Sequence, residues 1–333
     1  MSALEIQPAP LPTAEDVDAA AARLLGFAVR TPLVFSPVLS ERIGADVFLK
    51  PETLQRTGSF KFRGAFNRMV QIPEAARAAG VVACSSGNHA QGVAAAAKIL
   101  GMPAVIVMPH DAPALKRDRT RALGAEVVGY DRRTEDRDAI ARAIAAERGA
   151  IMVPPYDDPH IIAGQGTVGL EIVQDLAALG RVPDLVAANA SGGGLVAGIA
   201  LAVKRVAPQA RVVVCEPAGF DDHARSFRSG VRERNAQPDG SFCDALLAPT
   251  PGAITFEITR RIVGEAASVT DAEVARAVEY AFRELKLVVE PGGAVALASL
   301  LEGRLNVSGG TAVIVLSGGN VDAETFARCL ASA

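Results

Sequence analysis

Short apolar runs alternate with alanine-rich stretches along most of this 333-residue chain, and that alternation limits the folds open to it. Val81–Cys84 is followed by Ala90–Leu100, Ala104–Met108 by Ala114–Leu123, and Glu126–Tyr130 by Thr134–Arg148. Further on, Leu185–Ala190 precedes Gly198–Val206, Arg211–Cys215 follows, and Ala312–Leu316 leads into Ala323–Ala331. Continuous apolar strands separated by helices predict an α/β fold with parallel-rich sheets covered on both faces. Gly101 with Pro103, and then Gly124, punctuate two of the helices, and Thr270 with Glu273 forms a capping-box pattern before Val274–Leu285.

Composition excludes several classes of function. A net charge of −3 gives no footprint for nucleic acid or an anionic membrane, and Asp131–Arg137 reads as a solvated face. Cys84, Cys215, Cys243 and Cys329 lie far apart without a CxxC pair, which argues against a disulfide framework or a zinc site. The Pro-rich Met1–Ala14 has the pattern of neither a signal nor a transit peptide. Apolar stretches such as Val93–Ala97 fall far short of the roughly 20 residues a bilayer span needs. A reduced, cytoplasmic protein is expected. The chain stops shortly after its last strand–helix pair, so no appended regulatory domain is expected.

Ligands of open α/β sheets bind where loops leave the carboxyl ends of strands, and several such loops here are built from small polar residues. Ser191-Gly192-Gly193-Gly194-Leu195 follows one strand and opens a helix, so its N–H groups can approach a phosphate with the helix dipole behind them. It is neither a Rossmann fingerprint nor a Walker A loop, which disfavours a nucleotide. Ser85-Ser86-Gly87-Asn88-His89 opens another helix and suits a carboxylate; a single capping serine would not explain the whole cluster. Ser317-Gly318-Gly319-Asn320 offers a neutral hydroxyl at the end of a third strand. Lys61 stands between Phe60 and Phe62, where desolvation would lower its pKa and make it a nucleophile; a snorkelling surface lysine is the plain alternative.

Taken in order, Ser59-Phe60-Lys61-Phe62-Arg63-Gly64-Ala65 and the three loops resemble the fold-type II pyridoxal-phosphate (PLP) enzymes, the group of tryptophan synthase β. Within them the chain resembles the threonine/serine dehydratase (ammonia-lyase) and serine racemase family, from about Thr31 to Asn320. The resemblance implies a large discontinuous domain, residues 1–80 and 156–333, with a small domain of residues 81–155 inserted. It implies that Lys61 holds the cofactor covalently, Phe60 packs beside its ring, Asn88 meets its 3-hydroxyl and Ser317 faces its ring nitrogen. Gly192, Gly193, Gly194 and Leu195 would cup the phosphate, and Ser86, Gly87, Asn88 and His89 would receive the substrate carboxylate. Glu290 matches a segment near the cofactor. Glu216 and Asp222 fall where some members bind Mg²⁺ or Ca²⁺, though a solvated acidic loop would read the same way.

The activity implied is that of a lyase converting threonine, serine or another 3-hydroxy amino acid to a 2-oxo acid and ammonia, with Lys61 as the base. Ser86 occupies the place of a racemase's second proton donor, so an amino-acid racemase is the alternative; a non-catalytic PLP-binding module is the reading from another class. Val153–Asp158, with its aromatic Tyr156, looks closer to the dehydratase version. Ala245 replaces a glycine frequent in the family, which turns attention from plain threonine to serine, 3-hydroxyaspartate or a bulkier substrate. A homodimer follows from the resemblance. The expected partner is a small amino-acid substrate, with neither nucleic acid nor membrane.

Overall fold

The computed structural model describes residues 10–331 except 86, 113, 132 and 308. Ser86 and the first nine residues of the Pro-rich start therefore lie outside the described residues. Among those described, the strands are β1 (Val34–Phe35), β2 (Asp46–Pro51), β3 (Val81–Cys84), β4 (Ala104–Pro109), β5 (Glu126–Tyr130), β6 (Ile151–Met152), β7 (Leu185–Asn189), β8 (Arg211–Pro217), β9 (Ala266–Val269) and β10 (Thr311–Leu316). They form a six-stranded sheet in the order β1-β2-β10-β7-β8-β9 and a four-stranded sheet in the order β5-β4-β3-β6. Every pairing is parallel except that of β1 with β2.

Alternate residues of each central strand feed different cores, which is why these strands read as unbroken apolar runs. Ala312, Ile314 and Leu316 pack on one side of the larger sheet, against the helices Asp271–Arg283 and Pro291–Leu301. Val313 and Val315 pack on the other, against Pro159–Ala178 and Gly194–Val206. In the smaller sheet Val81 and Ala83 face one core and Val82 the other. Each such valine, leucine or isoleucine contributes about 1.5–3 kcal/mol by leaving water. Among the described residues no helix is long and apolar enough to cross a membrane.

The predicted capping box is present: Thr270 Oγ1 accepts the Glu273 N–H, and Glu273 Oε2 accepts that of Thr270. It places the helix start at Asp271, ahead of the expected Val274. The helix expected from Thr134 begins instead at Arg137, because the Asp136 carboxylate caps the N–H groups of Asp138 and Ala139. Gly101, at φ 64°, closes the Asn88–Leu100 helix as its spacing predicts. Strands β1, β2, β6 and β9 have no counterpart in the sequence reading; β2 is masked by Lys50, a charged residue that is fully buried.

Candidate active site

Strands β3, β7 and β10 end side by side with the glycine- and serine-rich loops, and a cleft of about 250 Å³ opens there between the two sheets. Lys61, Gly87, Asn88, His89, Gly192, Gly193, Gly194, Leu195, Glu290, Ser317 and Phe60 all line it, so the motifs found along the chain converge on one place.

Lys61 is the first residue of the Lys61–Val70 helix, and its Nζ donates to the Pro155 carbonyl at 2.8 Å. The amine lies 5.0 Å from the centroid of the Phe60 ring. It is no snorkelling surface lysine: desolvation pushes its pKa down to about 8, leaving roughly a tenth of it unprotonated at pH 7.

The phosphate-cradle candidate is stripped of side chains by necessity. A β-carbon would stand 2.3 Å from the Tyr156 ring at Gly192, 2.7 Å from the His223 imidazole at Gly193 and 2.5 Å from Gln165 Oε1 at Gly194. Gly193 also sits at φ 92°, where a side chain is strained. The free N–H groups at the start of the Gly194–Val206 helix then face an open cradle rather than side chains. His223 Nε2 meets Ser191 O at 3.0 Å from behind. A phosphoryl cradle, a buried amine of lowered pKa and a hydroxyl from Ser317 thus fit the ends and the aldehyde of PLP.

Asn88 Nδ2 donates to Glu290 Oε1, while Asn88 Oδ1 accepts from Asn320 Nδ2 at 2.7 Å. That leaves one Asn88 N–H for a ligand oxygen. His89 Nε2 meets Val153 O at 2.9 Å; a carbonyl only accepts, so the proton is on Nε2 and Nδ1 carries a lone pair. Burial, and then Lys61, lower the His89 pKa to about 3, so the ring is neutral. What His89 offers an anion is its backbone N–H at the helix start.

Burial and then Asp244 raise the Glu290 pKa to about 7 from an ordinary 4.5. The folded state therefore binds a proton that the unfolded state has released across that window. The stability linked to this group is complete below about pH 4.5 and is lost as pH rises through 7. Glu290→Gln removes that slope. Between acid and neutral pH the variant of the unloaded protein should gain up to about 3 kcal/mol on the wild type, read from denaturation midpoints. Parallel pH curves for the two proteins would contradict a buried acid here.

Three charged residues of the cleft were not singled out in the sequence. Lys116, from the Ala114–Ala122 helix beside the smaller sheet, reaches over to pair with Asp244. Arg137, read as part of a solvated face, also lines the cleft, and its nearest acid is Asp138 at 3.9 Å. Nothing local in the sequence marks these three. Ala245, by contrast, does line the cleft, with its Cβ 3.2 Å from where a β-carbon at Gly292 would be.

Glu216 and Asp222 do come together, and with His223 they place potential metal-ligand atoms within 4.8 Å of one another. They form no solvated loop, since all three are buried. Glu216 already accepts the backbone N–H groups of His223 and Ala224, capping the Asp222–Ser229 helix. Burial raises both acids, Asp222 to about 6.

Residues 24–318 match the family described as pyridoxal-phosphate dependent enzyme. An L-threo-3-hydroxyaspartate ammonia-lyase of Pseudomonas sp is 45% identical, over 95% of this chain and 97% of that protein. An L-threonine ammonia-lyase of Thermotoga maritima is 41% identical, over 96% of this chain and 78% of that protein. The solved structure of maize serine racemase superposes with a TM-score of 0.90 at 33% identity, covering 97% of this chain and 98% of that one. With its parallel-rich α/β fold and its converging loops, the chain belongs to the pyridoxal-phosphate dependent enzymes of fold type II, in the group of ammonia-lyases that includes threonine dehydratases.

Proposed function

We propose that this enzyme eliminates water and then ammonia from a 3-hydroxy amino acid, and that its preferred substrate carries a second carboxylate, as 3-hydroxyaspartate does. One observation carries the preference: Arg137 lines the cleft with its side chain half in water, and among the described residues its ion-pair partner is Asp138, only at 3.9 Å. A guanidinium matches a carboxylate with two parallel hydrogen bonds, whereas threonine or serine would leave it unused. Likeness to the Pseudomonas 3-hydroxyaspartate ammonia-lyase points the same way.

When bound, the cofactor supplies the electron sink that makes the Cα proton removable. The Gly192–Leu195 N–H groups would hold its phosphate, Lys61 would hold its aldehyde, and the Lys61 amine would take the Cα proton. The N–H groups of Asn88 and His89, with Ser86, would hold the α-carboxylate, joined by that of Gly87 if it leaves Ser85 Oγ, to which it donates at 3.2 Å. Departure of the 3-hydroxyl as water, and uptake of water at Cα, leave a 2-oxo acid and ammonia.

The test is a panel of 3-hydroxy amino acids with 2-oxo acid detection on wild type and Arg137→Gln. The substitution should lower kcat/KM for 3-hydroxyaspartate roughly 10–100-fold, and change that for serine by much less. Equal losses on all substrates, or a wild-type preference for threonine, would return the assignment to a threonine/serine dehydratase. Chiral analysis of the same reactions decides the racemase alternative, which the likeness to maize serine racemase favours. A homodimer, and Mg²⁺ or Ca²⁺ at Glu216 and Asp222, complete the proposal; light scattering and melting temperature with each cation test them.

A further inference from the structure

Glu216 lies near the end of β8, and the Asp222–Ser229 helix sets Asp222 and His223 against it, all three buried. One ligand atom from each lies within 4.8 Å of the others, and opposite ligands of a bound ion stand about 4–5 Å apart. The protein leaves two of these groups incomplete. Asp222 Oδ1 accepts from Asn235 Nδ2 at 2.7 Å, but Asp222 Oδ2 has no hydrogen-bond partner among the described residues. His223 Nδ1 has none either.

The state of that ring nitrogen follows from the other one. His223 Nε2 lies 3.0 Å from Ser191 O, and a carbonyl only accepts, so Nε2 carries a proton. A second proton, on Nδ1, would leave a buried charged donor without an acceptor. Nδ1 therefore presents a lone pair. Turning the ring over would set a carbon against Ser191 O and give up the bond that orients it. A metal-binding histidine commonly spends its other N–H on a carbonyl or a carboxylate in this way.

We propose that His223 binds a divalent cation through Nδ1, as a third protein ligand beside Glu216 and Asp222. The inference rests on the reading that a cation sits at those two carboxylates, and it changes which ion fits best. Two carboxylates alone suit Mg²⁺ or Ca²⁺, whereas an imidazole nitrogen among oxygens suits a first-row transition ion such as Zn²⁺. Glu216 is already fixed in place by the His223 and Ala224 N–H groups at 2.9 and 3.0 Å, and each of its oxygens keeps a second lone pair. A β-carbon at Gly193 would meet the His223 ring at 2.7 Å, so the ion would stand one imidazole behind the glycine loop.

The experiment strips the cofactor-loaded protein of ions with a chelator, adds Mn²⁺ as a paramagnetic probe and reads pulsed EPR with the histidines labelled with ¹⁵N. Wild type should show a histidine nitrogen bonded directly to manganese. The coupling should vanish in His223→Gln, whose amide can keep the bond to Ser191 O but has no nitrogen in the place of Nδ1. Zn²⁺ affinity, from competition with a chelating dye, should fall at least about tenfold in that variant, and Mg²⁺ affinity should change much less. Bound Mn²⁺ without histidine coupling would overturn the proposal with no variant needed. A coupling that survives His223→Gln, or equal losses for Zn²⁺ and Mg²⁺, would also overturn it. Failure of the cation reading itself would look different: no ion would be retained, or Asp222→Asn would bind Mn²⁺ and Zn²⁺ as wild type does.

Discussion

Lys61→Ala is expected to lower turnover by at least about a thousandfold on every substrate, since one amine serves as covalent tether and as base. The loss should come without unfolding. Lys61 is partly buried and its amine is desolvated enough to bring its pKa to about 8, so the unloaded fold bears that cost and the alanine variant is relieved of it. Pro155 O keeps a second donor in Gln165 Nε2 at 3.3 Å. Steady-state assays, melting curves of the unloaded proteins and mass spectrometry after borohydride reduction check the three parts. Wild-type-like turnover by the variant, or an adduct on another lysine, would end the assignment.

Arg63→Met should be the most destabilising single change in the chain, at about 3–5 kcal/mol. Arg63 is a buried residue in the first turn of the Lys61–Val70 helix, its guanidinium forked onto two carboxylates. It donates from Nε and Nη2 to Glu52 at 2.8 and 2.9 Å, and from Nη1 and Nη2 to Glu171 at 2.6 and 2.9 Å. Lys50 Nζ donates to the same Glu171 at 2.6 Å, so the cluster holds two cations and two anions and is neutral as a whole. Removing the arginine leaves one cation to serve two buried carboxylates, and that unbalanced charge is the source of the loss. Arg63→Lys should recover little, because a point-like ammonium cannot span both acids. Urea midpoints of the unloaded proteins measure both variants; a loss below about 1 kcal/mol for Arg63→Met would mean that water reaches the cluster.

How much of this was legible depended on whether the determinant is local. The glycine loop and the Gly87–His89 helix start could be read because their requirements are backbone ones: no β-carbon at Gly192 or Gly194, a positive φ at Gly193, free N–H groups at a helix start. Strands β3 and β5 coincide with their predicted spans because sheet burial writes apolar runs into the sequence. Strand β2 could not be found that way, since the partner that makes buried Lys50 acceptable lies 121 residues further on, at Glu171. Arg137 is exposed, as a charge in a run of charges reads, and what the run does not tell is that the fold also sets it beside a cleft. Asn189 reads as one more strand residue, and only its contacts with Gly293, Ala296 and Ser317 show that it fastens the end of β7 to its neighbours. The loop motifs could thus be read from sequence, whereas the charges that line the cleft beside them could not.

The pairing of Lys116 with Asp244 fastens the mouth of the cleft with a single ionic clasp, half of it in water. Electrolyte screens the half-exposed Asp244 but hardly reaches buried Lys116, so salt weakens this pair less than it would a pair wholly in water. An acidic substrate reaching the lysine would compete with Asp244 for it, and each anion that wins sets the Asp244 carboxylate free to turn to water.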